Sequence, residues 1–440
     1  MQNSIRFKKF LLPARFVFGL VLILTTLPTS AAQDENTLYD SDPKHLWNRL
    51  NETLFVRTAQ DGKKYGSDEL DILYWANTKN LLKEPSSHKA LAILGEFIKT
   101  HGEKLIRNPL QRALLQRDLW ELFDWSAEPL GDSNQDQARR ELQARLVLVI
   151  RQIALTTNEI ALLPDNYAKA ESTHSLTNLP QGLFQTNGDW VNVGIIHLDP
   201  AAVAHVRSFS GRSTFLVMLH HPDGRQAGID YLKRLRSFKP MWADATNSDS
   251  HEHLNPKLPQ FPPNTQWGLV RRMSVIDTEG QIQPTRIIES IQVRTYLKIP
   301  TTNNLSISGT ILQESLQRFQ EFQMSQKSDT ALAAIPEGKK GFNSVHFFSK
   351  GIDPFETKHD FANFRGEALE ACAGCHSFGP GIHSVNTFSR IFLGDQALRT
   401  TQLTDSKAEP EFWVTREWKQ RQFDWGLLQG FWHRENEAKP

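Results

Sequence analysis

The chain has 440 residues, of which 39% are hydrophobic, 22% charged and 10% aromatic, a globular composition that excludes a disordered, collagen-like or coiled-coil protein. Fifty Lys and Arg against 49 Asp and Glu leave a formal charge of +1. No basic excess exists to neutralise a phosphate backbone, so nucleic acid is not an expected partner.

Residues 1–32 read as a secretory signal peptide. Arg6, Lys8, Lys9 and Arg15 precede a short apolar run, FVFGLVLIL at 16–24, and Ser30, Ala31 and Ala32 offer a small-residue cleavage site before Gln33. The run is about half the ~20 residues needed to span a bilayer, so export and cleavage are expected over an uncleaved anchor. The processed chain then keeps 46 basic against 49 acidic residues, a formal charge of −3. It is expected in the periplasm or secreted, with no stable membrane span.

Residues 33–175 form an expected helical domain. Leu46, Leu50 and Leu54, and later Leu142, Leu146, Val149 and Ile153, recur at helical spacing. Ser41, Asp42 and Pro43 mark a helix start, and DSNQDQ at 132–137 marks a loop. His45, His88 and His101 stand singly here and take no role.

Residues 176–335 form an expected β-rich domain. Apolar or β-branched residues alternate with polar ones across 291–299, and 190–198, 213–220 and 267–276 read likewise. Pro222-Asp223-Gly224 and Asp277-Thr278-Glu279-Gly280 supply turn chemistry, so antiparallel hairpins are expected. Residues 246–263 read as a long surface loop. Its His251-Glu252-His253 lacks a third ligand at a recognisable spacing, so no metal is assigned. Ile311, Leu312, Leu316, Phe319 and Phe322 then give 306–326 a helical stripe, a connecting helix that ends the domain.

The linker PEGKKG at 336–341 opens a C-terminal module, 336–440, expected to be mainly helical. Trp418, Trp425 and Trp432 recur every seven residues near its end, an aromatic stripe read as a core element. No P-loop, no G-x-G-x-x-G after a strand, no H-E-x-x-H and no G-x-S-x-G is present. The expected fold class is therefore multidomain α+β.

The sharpest signal is Cys372-Ala373-Gly374-Cys375-His376, which matches C-x-x-C-H, the attachment pattern of c-type haem, and uses both cysteines of the chain. Two thiols at this spacing can form thioethers with the two vinyl groups of a porphyrin, and the adjacent imidazole can ligate the iron. Small residues at 373 and 374 let the ring approach the backbone. Two other chemistries use the same pair. A redox disulfide would draw on His376 to lower a thiol pKa, though no thioredoxin-like βαβ pattern surrounds it. Structural zinc would need further close ligands, with His383 near but no second C-x-x-C.

The motif, with the helical pattern FRGEALEA at 364–371 before it, resembles cytochrome c over that short stretch. The resemblance implies one covalent haem c on Cys372 and Cys375, with His376 as the proximal ligand. It also implies attachment outside the cytoplasm, which agrees with the export signal. The sequence departs from small soluble cytochromes c in having no Met after Met324. His383, His346 and His359 are the candidate distal ligands to the iron. His433 also reaches from the tail, and Met324 would serve only if its helix covered the haem. Two strong axial ligands would make an electron-transfer centre serving a redox partner protein. An open sixth position would make a haem enzyme of peroxidase type, with a histidine or Arg390 assisting. An exported binding protein with a C-x-x-C disulfide is the third class.

Overall fold

The computed structural model describes residues 38–58, 62, 64–66, 78–128, 136–196, 199–238, 242–243, 253–254, 257, 259–299, 317–325, 331–336, 353, 355–356 and 409–437. All of them belong to one compact unit, built from helices and a six-stranded antiparallel sheet. The class is mixed α+β.

Four helices open the chain: α1 (Leu46–Phe55), α2 (Ser86–Lys99), α3 (Pro109–Ala127) and α4 (Asp136–Gln152). Local chemistry sets their starts. Asn108 accepts from the Leu110 amide ahead of Pro109, a good first helical residue because the proline lacks only an N–H that would be unpaired there. His45 caps α1 through its ring nitrogen, which accepts from the Trp47 amide, so the helix begins three residues after Pro43. Leu46, Leu50 and Leu54 of α1 and Leu142, Leu146 and Val149 of α4 are all buried, as their spacing requires. In α3 every residue from Ala113 to Ser126 is buried, because it is the helix around which the rest assembles. Short helices α5 (Thr157–Ala161), opened by a Thr156/Glu159 capping box, and α6 (Asn166–Thr173) follow.

The sheet contains β1 (Trp190–Asn192), β2 (Ser213–His220), β3 (Gln266–Ile276), β4 (Ile282–Tyr296), β5 (Gln317–Met324) and β6 (Leu332–Ile335), paired in chain order with every neighbour antiparallel. Leu216 and Met218 of β2 join Ile291 and Val293 of β4 on the face covered by α3, α5 and α6. Val217 and Leu219 point the other way. That second face meets α7 (Val203–Ser208) and α8 (Arg225–Ser237).

The β3–β4 hairpin turns at the expected DTEG. Asp277 Oδ1 accepts from the Glu279 and Gln281 amides, and Gly280 holds φ +74°, with its α-carbon so close to Trp432 that a Cβ would lie 3.0 Å from the indole nitrogen. Two buried side-chain amides extend the ladder where strand partners run out. Gln116 of α3 bonds both the N–H and the C=O of Ile276 at 2.8 and 2.7 Å. Asn166 of α6 does the same to Ile288, at 2.8 Å each way, where the β3–β4 register shifts.

Two expectations are corrected. Over its described part the connecting helix at 306–326 is instead strand β5. Phe322 and Met324, two apart, are both buried against the sheet core, and Phe322 pairs with Ile291. The i, i+3 spacing of Phe319 and Phe322 suggested a helix, but Phe319 faces the opposite side, under the Arg294 guanidinium. Pro222-Asp223-Gly224 does not close a hairpin: Gly224, at φ +89°, leads directly into α8.

The tail forms α9 (Glu409–Gln420) and α10 (Phe423–Glu437). Trp425, Leu428 and Trp432 are buried in the same core as Trp47, Trp120 and Phe123 of the opening helices. Trp120 and Trp425 lie 5.9 Å apart, centroid to centroid. Trp425 and Trp432 thus close the first helices from the tail, whereas Trp418, on α9, is half-buried against the separate cluster of Ala202, Val206 and Phe215.

Candidate functional site

Cys372, Cys375 and His376 lie outside the described residues, as do His346, His359, His383 and Arg390. The nearest described residues are Asp353, Phe355 and Glu356 before the motif and α9 after it.

Before the motif stands Asp353. Its carboxylate accepts from Arg57 Nη1 at 2.8 and 3.0 Å, and the same nitrogen donates to Thr78 Oγ1 at 2.9 Å. The Arg57 and Asp353 side chains are only 9% and 7% exposed. Asp353 also accepts from the Phe355 amide at 2.9 Å, starting a turn. The Phe355 ring lies 4.5 Å beneath the Arg57 guanidinium and is buried in the helical core, a stacked arrangement that a lysine would not reproduce. Lys83 and Glu356 add a half-exposed pair at 3.0 Å, worth little by itself.

After the motif stands α9. Glu411 is buried and accepts from Asn192 Nδ2 of the edge strand β1 at 2.6 Å, while Asn192 Oδ1 accepts from the Gly194 amide. The next residue, Phe412, is buried in the same core as Phe355. Farther along, Arg416 donates to Gln281 at 3.1 Å, Gln429 to the Gly280 carbonyl at 3.0 Å, and Arg151 to the Trp432 carbonyl at 3.1 Å. Phe355 before the motif and Phe412 after it are therefore buried in one hydrophobic core.

Beside α3 lies a layer of buried charge. Glu289 of β4, fully enclosed, accepts from Arg271 at 3.0 and 3.1 Å, from Ser213 at 2.6 Å and from Arg117 at 3.3 Å. Arg117 also holds its neighbour Asp118. Burial alone would raise the Glu289 pKa, but Arg271, Arg117 and the Ser213 hydroxyl hold it below the usual carboxylate value. Nearer the tail, Lys419 donates to Asp124 at 2.7 Å and to Asp424 at 2.6 Å, and Arg212 donates to Asp124 at 2.7 Å and sits 3.3 Å from Glu121. Here burial wins and the Asp124 pKa is raised, even with Lys419 and Arg212 beside it.

The remaining singled-out residues have ordinary settings. His433 is exposed on α10 beside Gln429, and Met324 is 1% exposed in the sheet core. A further histidine, His205 on α7, is half-buried with its ring 5.5 Å from that of Phe215, and desolvation together with the nearby Arg294 pushes its pKa down to about 4. Among the described residues no group of three His, Cys, Asp or Glu is placed to hold a metal, and no helix is long and apolar enough to cross a membrane. Sequence reading missed Arg57, Asp353, Asn192, Glu411 and the buried charges. The one available signal was α3 itself, whose RDLWELFDW sets Arg117, Asp118, Glu121 and Asp124 along one side of a helix otherwise made of large apolar residues.

No protein-family model matches this sequence, and neither a curated protein nor a solved structure matches it.

Proposed function

We propose that this is an exported monohaem c-type protein, with Cys372 and Cys375 as covalent anchors of the haem and His376 as its proximal ligand. The observation that carries the reading is the Cys372-Ala373-Gly374-Cys375-His376 motif, which takes both cysteines of a chain that begins with an export pattern. The donor set suits the group: two thiols for the vinyl carbons and one imidazole nitrogen for iron. Bound haem would supply one-electron chemistry, its potential set by the axial ligands, by burial and by hydrogen bonding.

Electron transfer to a redox partner protein is the function we assign, in the periplasm or outside the cell. Met324 is enclosed by the sheet and no methionine follows it, so His383, His346 and His359 remain the candidate distal ligands. The absence of a methionine on that side also favours one second reading, a peroxidase-type enzyme with an open sixth position. The residues preceding the motif would in either case dock a partner or position the haem.

The test is the optical spectrum of the purified protein made with a c-type maturation system. A pyridine haemochrome of c-type, retained on denaturation, is the expected result; a colourless protein with a free or bridged thiol pair overturns the proposal. Slow or absent binding of CO to the ferrous protein and of cyanide to the ferric protein is expected for the electron carrier, and ready binding would select the enzyme.

A further inference from the structure

We propose that His221 is a proton-operated latch on α8, whatever the chain carries at its C-x-x-C-H motif. Neutral, its Nδ1 accepts from the Asp223 amide and closes the turn that seats the helix. With a proton taken from solvent, the same nitrogen releases the amide and donates to the Asp223 carboxylate.

The start of α8 has no side-chain cap. Its N-cap is Gly224, at φ +89°, so the preceding turn does what a capping side chain otherwise would. His221 holds that turn twice: its carbonyl accepts from the Gly224 amide at 2.9 Å and its ring Nδ1 from the Asp223 amide at 3.2 Å. The residue is 5% exposed, and the backbone of α8 rests on it. A Cβ placed on Gly228 would lie 3.4 Å from the His221 Cβ, with Val191 and Leu219 next at 3.6 and 3.7 Å. Beyond this contact Tyr231, Leu232 and Leu235 of α8 join Val191, Leu219, Trp267 and Tyr296 in one apolar cluster. The turn thus fixes the helix that covers this part of the sheet.

An imidazole nitrogen accepts only through its lone pair, and a proton placed there removes the acceptor. The second partner is already near. Asp223 Oδ2 lies 3.7 Å from the same Nδ1, on a side chain 77% exposed. Nδ1 can bond the amide or the carboxylate, and the proton decides which. Burial lowers the His221 pKa below its ordinary 6.5; the Asp223 carboxylate opposes this, while Arg234 of α8 and His220 of β2 act with burial. Other charges of α8 are engaged elsewhere: Arg225 donates to the Gly188 and Trp190 carbonyls, and Asp230 faces Gln226 and Lys233. The neutral ring is the form that the fold favours, so the latch is fully closed above about 6.5 and opens as pH falls from there through the folded value.

The experiment follows the His221 ring and the Asp223 amide by NMR, and hydrogen exchange in α8, from about pH 7.5 to about pH 5. We expect the Asp223 amide to shift with the midpoint of the His221 ring. Protection in α8, corrected for the intrinsic pH dependence of exchange, should fall by up to about tenfold per pH unit below 6.5 until the folded pKa is passed. In H221N the side-chain oxygen accepts from the amide two residues on and does not titrate, so this pH dependence should vanish. D223N should move the midpoint to lower pH and R234Q to higher pH. If H221N does not fold, those opposite shifts carry the test, since Asp223 and Arg234 are both exposed. An unchanged pH dependence in folded H221N, or a His221 ring that titrates without moving the Asp223 amide, would overturn the latch. So would exchange in α8 that occurs only with global unfolding, as measured in urea at the same pH.

Discussion

Glu289 and Asp124 are both buried beside α3, and their pKa values move in opposite directions. Glu289 is lowered, with two guanidiniums and a serine hydroxyl converging on its two oxygens. Asp124 is raised, because burial outweighs Lys419 and Arg212, and Asp424, which shares that lysine, adds repulsion. Burial therefore does not by itself set the sign: the cations converging on the carboxylate, set against the anions that compete for them, decide it. The Glu289 cluster joins α3 to the sheet. The Asp124 cluster joins α3 to the tail helices that leave the motif-bearing stretch.

The largest expected effect breaks the tighter cluster. E289Q leaves Arg117 and Arg271 buried without their shared anion, a loss of about 3–5 kcal/mol in unfolding free energy by analogy with other broken buried pairs, read from the urea midpoint. The pH dependence has a definite sign. The folded pKa of Glu289 lies below its ordinary 4.5, so its stabilisation is complete above about 4.5 and is lost as pH falls through the folded value. Stability of the wild type should fall in that range and that of E289Q should fall less. Equal acid sensitivity in the two proteins would show that Glu289 does not hold the lowered pKa.

D124N is expected to do much less and to show the opposite trend. Lys419 keeps Asp424, and an amide of the same shape accepts from Lys419 and Arg212, so stability near neutral pH should stay within about 1 kcal/mol of wild type. The folded pKa of Asp124 lies above its ordinary 3.8, so its contribution is complete below 3.8 and is lost as pH rises through the folded value. Relative to wild type, D124N should therefore gain stability as pH rises across that interval. A relative loss would mean that Lys419 and Arg212 outweigh burial after all, and the contrast between the clusters would collapse.

These clusters were not legible in the sequence because their members meet across long separations. Arg117 reaches Glu289 172 residues on, and Lys419 reaches back 295 to Asp124. No periodicity encodes such pairs. Arg57 and Asp353 are alike in this, 296 apart. What was legible is local: the Leu46, Leu50, Leu54 stripe, the alternation in β3 and β4, the DTEG turn and the seven-residue tryptophan spacing each depend on a few consecutive residues and the face they bury. β5 was misread because Phe319 and Phe322, three apart, fit the helical period, and only pairing with β4 selects the strand. The C-x-x-C-H motif is legible for a different reason. Its meaning is covalent chemistry at fixed spacing, which needs no fold to be recognised, whereas its distal partner depends on a tertiary arrangement that spacing does not determine.

The smallest expected effect completes the comparison by separating geometry from burial. Arg49 and Glu96 join α1 to α2 through two parallel hydrogen bonds of 2.8 and 2.7 Å, tighter than any contact Arg117 makes with Glu289. Their side chains are 44% and 40% exposed, so water and salt screen the pair and two long side chains lose freedom to make it. E96Q should cost no more than about 0–1 kcal/mol, and less in high salt, against the severalfold larger loss in E289Q. The pair does lower the Glu96 pKa through its hydrogen bonds to Arg49, so a small acid-linked loss is expected in the same direction as for Glu289, lost as pH falls through the lowered value. An E96Q penalty equal to that of E289Q would mean that bidentate geometry, and not enclosure, makes charge costly to remove in this fold. The ranking of every pair above would then follow distance in place of burial.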